Sequence, residues 1–171
     1  SSKLISVANL NGFHFTSPWR PTGQTGPSKK GNPMQKPSLR ATLDAKKFFV
    51  APGAQDMITA LIINKVGFDF VYGSGYWMTA SAYGLPDAGI ATYTQMVDRM
   101  DTLARTANAT LIADADTGYG GLLNVHHTVR GYEAAGVAGI QLEDQVIPKR
   151  CGHTRNKQVI ATSDMVQKIQ V

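Results

Sequence analysis

Thr110-Leu-Ile-Ala-Asp114-Ala-Asp116 is the stretch that decides the fold, because a short strand-like run ends in two carboxylates one residue apart. Short, largely apolar runs of this kind are typical of parallel sheets that are covered on both faces. Strand residues two positions apart point to the same side, so we expect Asp114 and Asp116 to share a face. The stretch therefore predicts a buried parallel strand that delivers two acids to one edge of a sheet.

The same pattern recurs along the chain, with helix-like segments between the runs. We predict strands over 47–51, 68–72, 110–113 and 137–142, and helices over 39–46, 57–65, 94–107, 125–135 and 164–170. In the second helix, Met57, Leu61 and Ile62 form one apolar face. Each predicted strand ends in glycine or carboxylates. This alternation fits a doubly wound sheet or a (β/α)8 barrel, and polar residues at successive strand ends favour the barrel.

The length of the chain bounds how much of a barrel it contains. A full (β/α)8 barrel needs about 250 residues, whereas this chain has 171 and shows four βα units. We therefore expect residues 38–171 to form the N-terminal half of a barrel domain. Residues 1–37 are rich in Ser, Pro, Gly and Lys without a sustained apolar period, so we interpret them as a disordered basic leader or a non-native extension.

The net charge of +5 is unevenly distributed. Residues 1–40 contain six Lys or Arg and no acid, which leaves 11 cations against 12 anions in residues 41–171. The body of the chain has no basic surplus, so nucleic-acid binding is not expected. No apolar run is long enough to span a bilayer. The single cysteine fits a reducing compartment, so we expect a cytoplasmic protein, or a mitochondrial matrix protein if residues 1–33 are a genuine leader.

Four carboxylates are expected to converge on the carboxyl edge of the sheet. Asp114 and Asp116 end the third strand, Glu143 ends the fourth, and Asp87 lies in the long loop after the second. Acids gathered in this way repel each other unless a cation joins them. Oxygen ligands that leave room for water suit Mg²⁺, or alternatively Mn²⁺.

The only cysteine lies in a second polar segment, Lys149-Arg-Cys-Gly-His153. Cations beside a thiol favour the thiolate and make the sulfur reactive, although a lone cysteine is just as compatible with a structural role. Zinc would prefer Cys151, His153 and the His126-His127 pair as ligands. That pair lies on a predicted helix away from the strand ends, which favours a solvated helix face.

Six motifs occur in one order along the body of the chain: Ala51-Pro-Gly-Ala-Gln-Asp56, Gly73-Ser-Gly75, Gly84-Leu-Pro-Asp87, Ala113-Asp-Ala-Asp-Thr-Gly-Tyr-Gly120, Gln141-Leu-Glu-Asp-Gln145 and Lys149-Arg-Cys-Gly-His153. Together they resemble the isocitrate lyase / phosphoenolpyruvate mutase superfamily, and within it the 2-methylisocitrate lyase-like and 2,3-dimethylmalate lyase-like branch. The resemblance covers the chain from about Ser38 to its end.

This resemblance implies a (β/α)8 barrel that assembles as a homotetramer and binds 2-hydroxy or 2-oxo acids on Mg²⁺. Asp114 would be the direct metal ligand, and Asp87, Asp116 and Glu143 would hold its waters. In such enzymes the substrate carboxylate is gripped by the residues that correspond to Ser74 and Gly75. Tyr76 replaces a residue that is small in many relatives, so this pocket is expected to differ.

The resemblance further implies a Mg²⁺-dependent carbon–carbon lyase with Cys151 as general acid on a loop that hinges at Gly152. Lys149, Arg150 and His153 would neutralise the substrate's carboxylates and tune the thiol. Tyr72 would lie near the substrate hydroxyl, although core packing explains it equally well. The alternatives are a phosphonomutase or an oxaloacetate hydrolase or decarboxylase of the same superfamily, against which Cys151 argues, and an inactive fragment.

Overall fold

The computed structural model describes residues 36–171, so most of the predicted leader lies outside the described residues. Strands and helices alternate within this range. In chain order they are α1 Leu39–Asp44, β1 Gly53–Ala54, α2 Met57–Val66, β2 Phe70–Gly73, α3 Gly75–Tyr83, α4 Tyr93–Thr106, β3 Thr110–Asp114, α5 Leu122–Ala134, β4 Gly139–Gln141 and α6 Thr162–Gln170.

The strands form one parallel sheet in the order β1-β2-β3-β4. Gly53 lies opposite Tyr72, Gly73 opposite Ala113, and Asp114 opposite Gln141. Because every strand adds to the same side of its predecessor, the sheet advances as the wall of a barrel does. The predicted α/β fold with a parallel sheet is confirmed.

The two faces of the sheet differ in their surroundings. One face packs against the helices, where Met100 and Leu103 of α4 belong to the buried core. A Cβ atom at Gly73 would lie 2.6 Å from the sulfur of Met100, so glycine allows this close approach. The opposite face carries Tyr72 and Gln141, which are only partly buried, and the Tyr72 hydroxyl donates to Gln141 Oε1 at 2.8 Å. This second face corresponds to a barrel interior.

The first strand lies later in the chain than predicted. The ladder starts where Tyr72 N donates to Pro52 O at 2.9 Å and continues through Gly53. The predicted strand over 47–51 has no strand partner, and Phe48 is 92% exposed. Its apolar run reaches the core through Phe49, whose ring packs against Phe70 at 4.3 Å between centroids. Apolar content alone therefore gave the wrong position for this strand.

Two features of the helices also differ from the predictions. In α2 the buried residues are Ala60 and Ile63, and Met57 packs against the core as predicted, whereas Leu61 and Ile62 of the predicted apolar face are exposed. Helix α3 was missed because it begins with glycine and aromatic residues, which have weak helix propensity. Within residues 36–171, no helix combines the length and the apolar character that a membrane crossing requires.

Candidate active site

Loops at the carboxyl edge of the sheet surround the ammonium group of Lys149. Its Nζ lies 2.7 Å from Asp87 Oδ1 and 3.2 Å from Asp116 Oδ2, and the side chain is only 5% exposed. Burial by itself would lower the pKa of Lys149, but the nearby carboxylates, led by Asp116, outweigh burial and raise it. Lys149 therefore stays charged and joins two acids from different loops.

Asp114 is the last residue of β3 and lies beneath these loops. Its Oδ1 accepts from Asp116 N at 2.8 Å, and its Oδ2 accepts from Gly75 N at 3.3 Å. Burial raises the pKa of Asp114 and outweighs the hydrogen bonds and the charge of Lys149. A Cβ atom at position 75 would lie 2.7 Å from Asp114 Oδ2, so glycine is needed at the start of α3.

A turn after β3 brings the Asp116 side chain to the site. The alternation of side chains along a strand does not explain its position, because Asp116 is not part of the strand. Strand β3 ends at Asp114, and Asp116 has a positive φ of 53°. Asp116 Oδ1 accepts from Thr117 N at 2.7 Å, which helps to hold this left-handed conformation. The expectation that both acids lie together was right, but the reason given for it was wrong.

Glu143 lies just beyond β4 and is half-buried. Its Oε2 accepts from Gln145 Nε2 at 2.6 Å. Burial is the main cause that raises the pKa of Glu143, and Asp114 and Asp116 add to it, while Lys149 opposes it. Gln145 belongs to one of the six sequence motifs, but no role was predicted for it. Its position two residues after Glu143 was the sequence feature that could have indicated a contact between the two side chains.

The carboxylates fit a divalent cation in their chemistry. All four donors are oxygen, and burial is the main cause that raises the pKa of Asp114 and of Glu143. Within residues 36–171, no three His, Cys, Asp or Glu side chains are gathered as a ready metal cluster. Mg²⁺ does not require such a cluster, because it is commonly bound through one or two carboxylates and several waters.

The cysteine lies on the connection between β4 and α6. Gln145 and Val159 form an antiparallel bridge at the base of this connection, and Val146 N donates to Gln158 O at 3.0 Å. Within it, Cys151 is partly buried. We call residues 146–158, which this base encloses, the thiol loop.

A cavity of about 760 Å³ lies beside the thiol loop. Its lining includes Tyr76, Asp87, Lys149, Arg150 and Cys151. Asp87 and Lys149 also border a narrow space of about 10 Å³ whose lining includes Gly75, Asp114 and Asp116. Asp87, Asp114, Asp116 and Cys151 therefore border adjoining spaces that share four lining residues, namely Pro86, Asp87, Ala88 and Lys149.

Two further predicted site residues, Tyr72 and Ser74, lie at the end of β2 and make hydrogen bonds to nearby groups. Ser74 is the N-cap of α3, and its Oγ accepts from Trp77 N at 3.5 Å. Burial, followed by the charge of Asp114, raises the pKa of Tyr72, so its hydroxyl remains a neutral donor. Tyr72 therefore lies on the interior face next to the acids and not in the helix-covered core.

The outer part of the thiol loop stands away from the acids. Arg150 Nη1 donates to Arg155 O at 3.4 Å, and Gly152 O accepts from Lys157 Nζ at 2.6 Å. Gly152 and His153 are exposed, and neither lines the cavities described above. The structure thus brings together Asp87, Asp114, Asp116, Lys149 and Cys151 but leaves His153 outside.

The histidine pair lies on α5, as predicted. Both His126 and His127 are exposed, and the His127 ring packs on Tyr93 with 4.6 Å between centroids. A solvated helix face describes them better than a metal site.

Comparison with known proteins shows the family. A family model described as phosphoenolpyruvate phosphomutase matches residues 39–171, and the chain belongs to this family. It is 51% identical over 132 residues to 2,3-dimethylmalate lyase of Eubacterium barkeri, covering 77% of this chain and 46% of that protein. It is 48% identical over 132 residues to 2-methylisocitrate lyase of Halalkalibacterium halodurans, covering 77% and 44%.

Solved structures agree with this assignment. Oxaloacetate acetylhydrolase bound to 3,3-difluorooxalacetate matches with a TM-score of 0.75 and 40% identity, over 78% of this chain and 46% of that one. A 2,3-dimethylmalate lyase described as a PEP mutase/isocitrate lyase superfamily member matches with a TM-score of 0.72 and 39% identity, over 77% and 44%. A phosphonopyruvate hydrolase complex with oxalate and Mg²⁺ matches with a TM-score of 0.68 and 35% identity, over 77% and 44%.

These matches confirm the predicted resemblance. The chain spans less than half the length of these curated relatives and solved chains, so its four βα units fit part of a barrel. The lyases among these relatives support an enzymatic role.

Proposed function

We propose that the protein is a Mg²⁺-dependent carbon–carbon lyase. Its substrate would be a 2-hydroxy di- or tricarboxylate similar to 2-methylisocitrate or 2,3-dimethylmalate, which it cleaves to an oxo acid such as pyruvate and a carboxylate. One observation carries the proposal: Asp87 and Lys149 border both the space beside Asp114 and the cavity beside Cys151. A metal-binding edge and a thiol can therefore serve one substrate.

The reaction moves one proton from the hydroxyl group and supplies another to the leaving carbon. As the carbon–carbon bond breaks, the hydroxyl carbon becomes a carbonyl, and the electron pair stays on the departing fragment as a carbanion stabilised by its carboxylate. Cys151 would donate the proton that this carbanion takes up, and the solvent would take the hydroxyl proton and return one to the thiolate. The neutral hydroxyl of Tyr72, which donates to Gln141 Oε1 in this structure, would lie near the substrate oxygen.

The acids at the strand ends would hold the metal ion. Asp114 would bind it directly, and Asp87, Asp116 and Glu143 would bind its waters. When bound, Mg²⁺ lowers the pKa of a hydroxyl group and fixes the geometry of a chelating acid. Lys149 already balances part of this charge through Asp87 and Asp116. A further cation would balance the remainder, which Asp114 and Glu143 carry.

The substrate's carboxylates would be bound at the mouth of the site. Ser74 and Gly75 begin α3, where backbone N–H groups favour an anion. Arg150 borders the larger cavity. We assign Gly152 as a hinge and His153 as a group that would reach the substrate only after the thiol loop moves.

The proposal extends to assembly and location. We propose a homotetramer, supported by the exposed apolar side chains of α2. We propose a cytoplasmic location, which the single unpaired cysteine fits. Partners other than small-molecule 2-hydroxy or 2-oxo acids are not required by any feature of the described residues.

A second enzyme class has specific support. The matching family model is described as a phosphomutase, and oxaloacetate acetylhydrolase shares the fold at 40% identity. These reactions would need no thiol acid, so the position of Cys151 beside the cavity favours the lyase. The third candidate is an inactive fragment, which the partial coverage of the relatives keeps open.

Product analysis separates the three candidates. The protein is incubated with Mg²⁺ and either 2-methylisocitrate, 2,3-dimethylmalate, oxaloacetate or phosphonopyruvate, and the products are identified by NMR. We expect an oxo acid and a carboxylate from one of the first two substrates, and no product from the Asp114→Asn variant at any Mg²⁺ concentration. Oxalate release or rearrangement of the P–C bond would establish the second class, and no turnover of any substrate would establish the third.

A further inference from the structure

The side chain of Gln145 makes three hydrogen bonds to two residues, and both N–H groups of its amide are used. Its Oε1 accepts from Arg150 N at 3.1 Å, and its Nε2 donates to Arg150 O at 3.0 Å and to Glu143 Oε2 at 2.6 Å. The residue is only 6% exposed. Both partners of Nε2 are acceptors, so the amide can take only one orientation.

The Gln145 amide binds the backbone of Arg150 and not its side chain. The amide of Gln145 pairs with the N–H and the C=O of Arg150 as a neighbouring strand would, so it holds Arg150 whatever its guanidinium does. The residue before it is Lys149, whose ammonium joins Asp87 and Asp116. The residue after it is Cys151. Fixing the backbone at position 150 therefore fixes both functional neighbours.

The other hydrogen bonds within the thiol loop are made by exposed residues; among them, Thr154 N and Oγ1 donate to Cys151 O, and Lys157 Nζ donates to Gly152 O. The base is closed by the Gln145–Val159 bridge, and residues 152–158 are exposed. Between this base and the exposed part, Gln145 is the buried side chain that reaches the loop backbone. It also connects that backbone to Glu143 at the carboxylate edge.

We propose that Gln145 is a positioning residue: its amide latches the backbone of Arg150 to Glu143 and so sets Cys151 against the carboxylate site. The effect of this contact on catalysis rests on the proposed lyase function. The hydrogen bonds by which Gln145 holds Arg150, which we call the latch, do not depend on that function. The latch predicts a local effect at the thiol loop that general destabilisation would not produce.

The test compares Gln145→Met with Gln158→Met. Methionine keeps much of the volume of glutamine but none of its hydrogen bonds. Gln158 is the matched control because it lies at the base of the same loop with an exposed side chain. Hydrogen exchange is measured on the 171-residue chain. We expect exchange at the Arg150 amide to accelerate on the order of 10- to 100-fold in Gln145→Met, while exchange in β3 is unchanged.

A second readout uses the only cysteine in the chain. The rate at which a chromogenic aromatic disulfide labels Cys151 should rise in Gln145→Met and stay the same in Gln158→Met. If Gln145→Met does not fold, Gln145→Asn replaces it, because it keeps an amide but is one methylene too short to reach Arg150. Unchanged exchange at Arg150 with unchanged labelling in a folded variant would overturn the latch.

The catalytic part is tested in the active enzyme. We expect Gln145→Met to lower kcat about tenfold while KM changes less, because the acid and not the substrate is displaced. An unchanged kcat together with accelerated exchange would overturn the positioning role but not the latch. If the enzyme has no lyase activity, the proposed function fails, and the exchange and labelling results still decide the latch.

Discussion

At the scale of the residue, four carboxylates lie at the carboxyl edge of the sheet around the buried ammonium group of Lys149. Lys149 joins Asp87 and Asp116, while Asp114 and Glu143 remain with raised pKa values. Burial of like charges is unfavourable unless counter-charge is supplied. Burial of Asp114 and Glu143 therefore disfavours their charged forms, and a bound cation would favour those forms.

We predict that Glu143→Gln changes how stability depends on pH. A raised carboxyl pKa means that the folded chain keeps a proton that the unfolded chain loses, so Glu143 costs stability as the pH rises above its ordinary value of 4.5. The cost disappears as the pH falls. The free energy of unfolding of Glu143→Gln relative to the unmodified chain should therefore increase between pH 5 and about pH 7.5.

Urea unfolding in metal-free buffer measures this difference. The control is Glu133→Gln, a change at an exposed position on α5, which should show no such trend. A difference for Glu143→Gln that stays constant or shrinks as the pH rises would contradict the charge account.

The positions of these acids could be predicted from the sequence, because the end of a strand is a local feature. The ion pairs of Lys149 could not: Lys149 was expected to contact the substrate and instead lies between Asp87 and Asp116. The contacts of Gln145, whose partners are five residues ahead and two behind, were not predicted either. Both contacts depend on how loops fold over the sheet, and periodicity contains no information about this.

At the scale of the element, the connection between β4 and α6 is held to the sheet by charge and by amide contacts. Lys149 links it to the loop after α3 through Asp87 and to the loop after β3 through Asp116. Three loops are thus tied at one buried atom. Losing that atom would leave two partly buried carboxylates without a counter-charge.

We predict that Lys149→Met lowers the free energy of unfolding by about 3–5 kcal/mol, the usual cost of removing one partner of a buried ion pair. Denaturant unfolding checks this value. Lys157→Met is the control, because Lys157 lies in the same loop and donates only to the exposed Gly152 O. Equal, small effects of the two substitutions would show that the buried ion pair does not hold the loop.

The helices show which predicted spans and buried faces agree with the structure. The span of α4 was predicted within a residue, because Met96, Met100, Leu103 and Ala104 keep a helical period and are all buried. Helix α3 has no such period, so it was taken for a loop. In α2 the helical period was visible, but the buried face runs through Ala60 and Ile63 and not through Leu61 and Ile62, and this depends on tertiary packing.

At the scale of the whole molecule, the parallel sheet has β1 and β4 as its outer strands within the described residues. Large apolar side chains are exposed before β1 and on α2, among them Phe48, Ile58 and Val66. The sequence predicted the βα alternation and its family correctly, because both rest on local motifs. The exposed apolar surface was not predicted, since it depends on which elements cover each helix.

We predict that the 171-residue chain self-associates in solution. Apolar patches and open sheet edges of this kind favour association over a dispersed monomer. Sedimentation velocity should show dimers or larger species, and a double substitution of Leu61 and Ile62 by lysine should reduce them. A single monomeric species of the unmodified chain, with a cooperative thermal transition, would contradict this prediction.

The central claim is that one substrate lies between the carboxylate edge and the thiol loop, with Cys151 as its acid. The most direct measurement is kcat and KM of Cys151→Ser in the active enzyme, determined separately. We predict that kcat falls by about 10²–10⁴, the usual contribution of a positioned acid, while KM and the Mg²⁺ requirement change little. A near-normal kcat would contradict the account and return the cysteine to a structural role, with the mutase and hydrolase reactions as the remaining candidates.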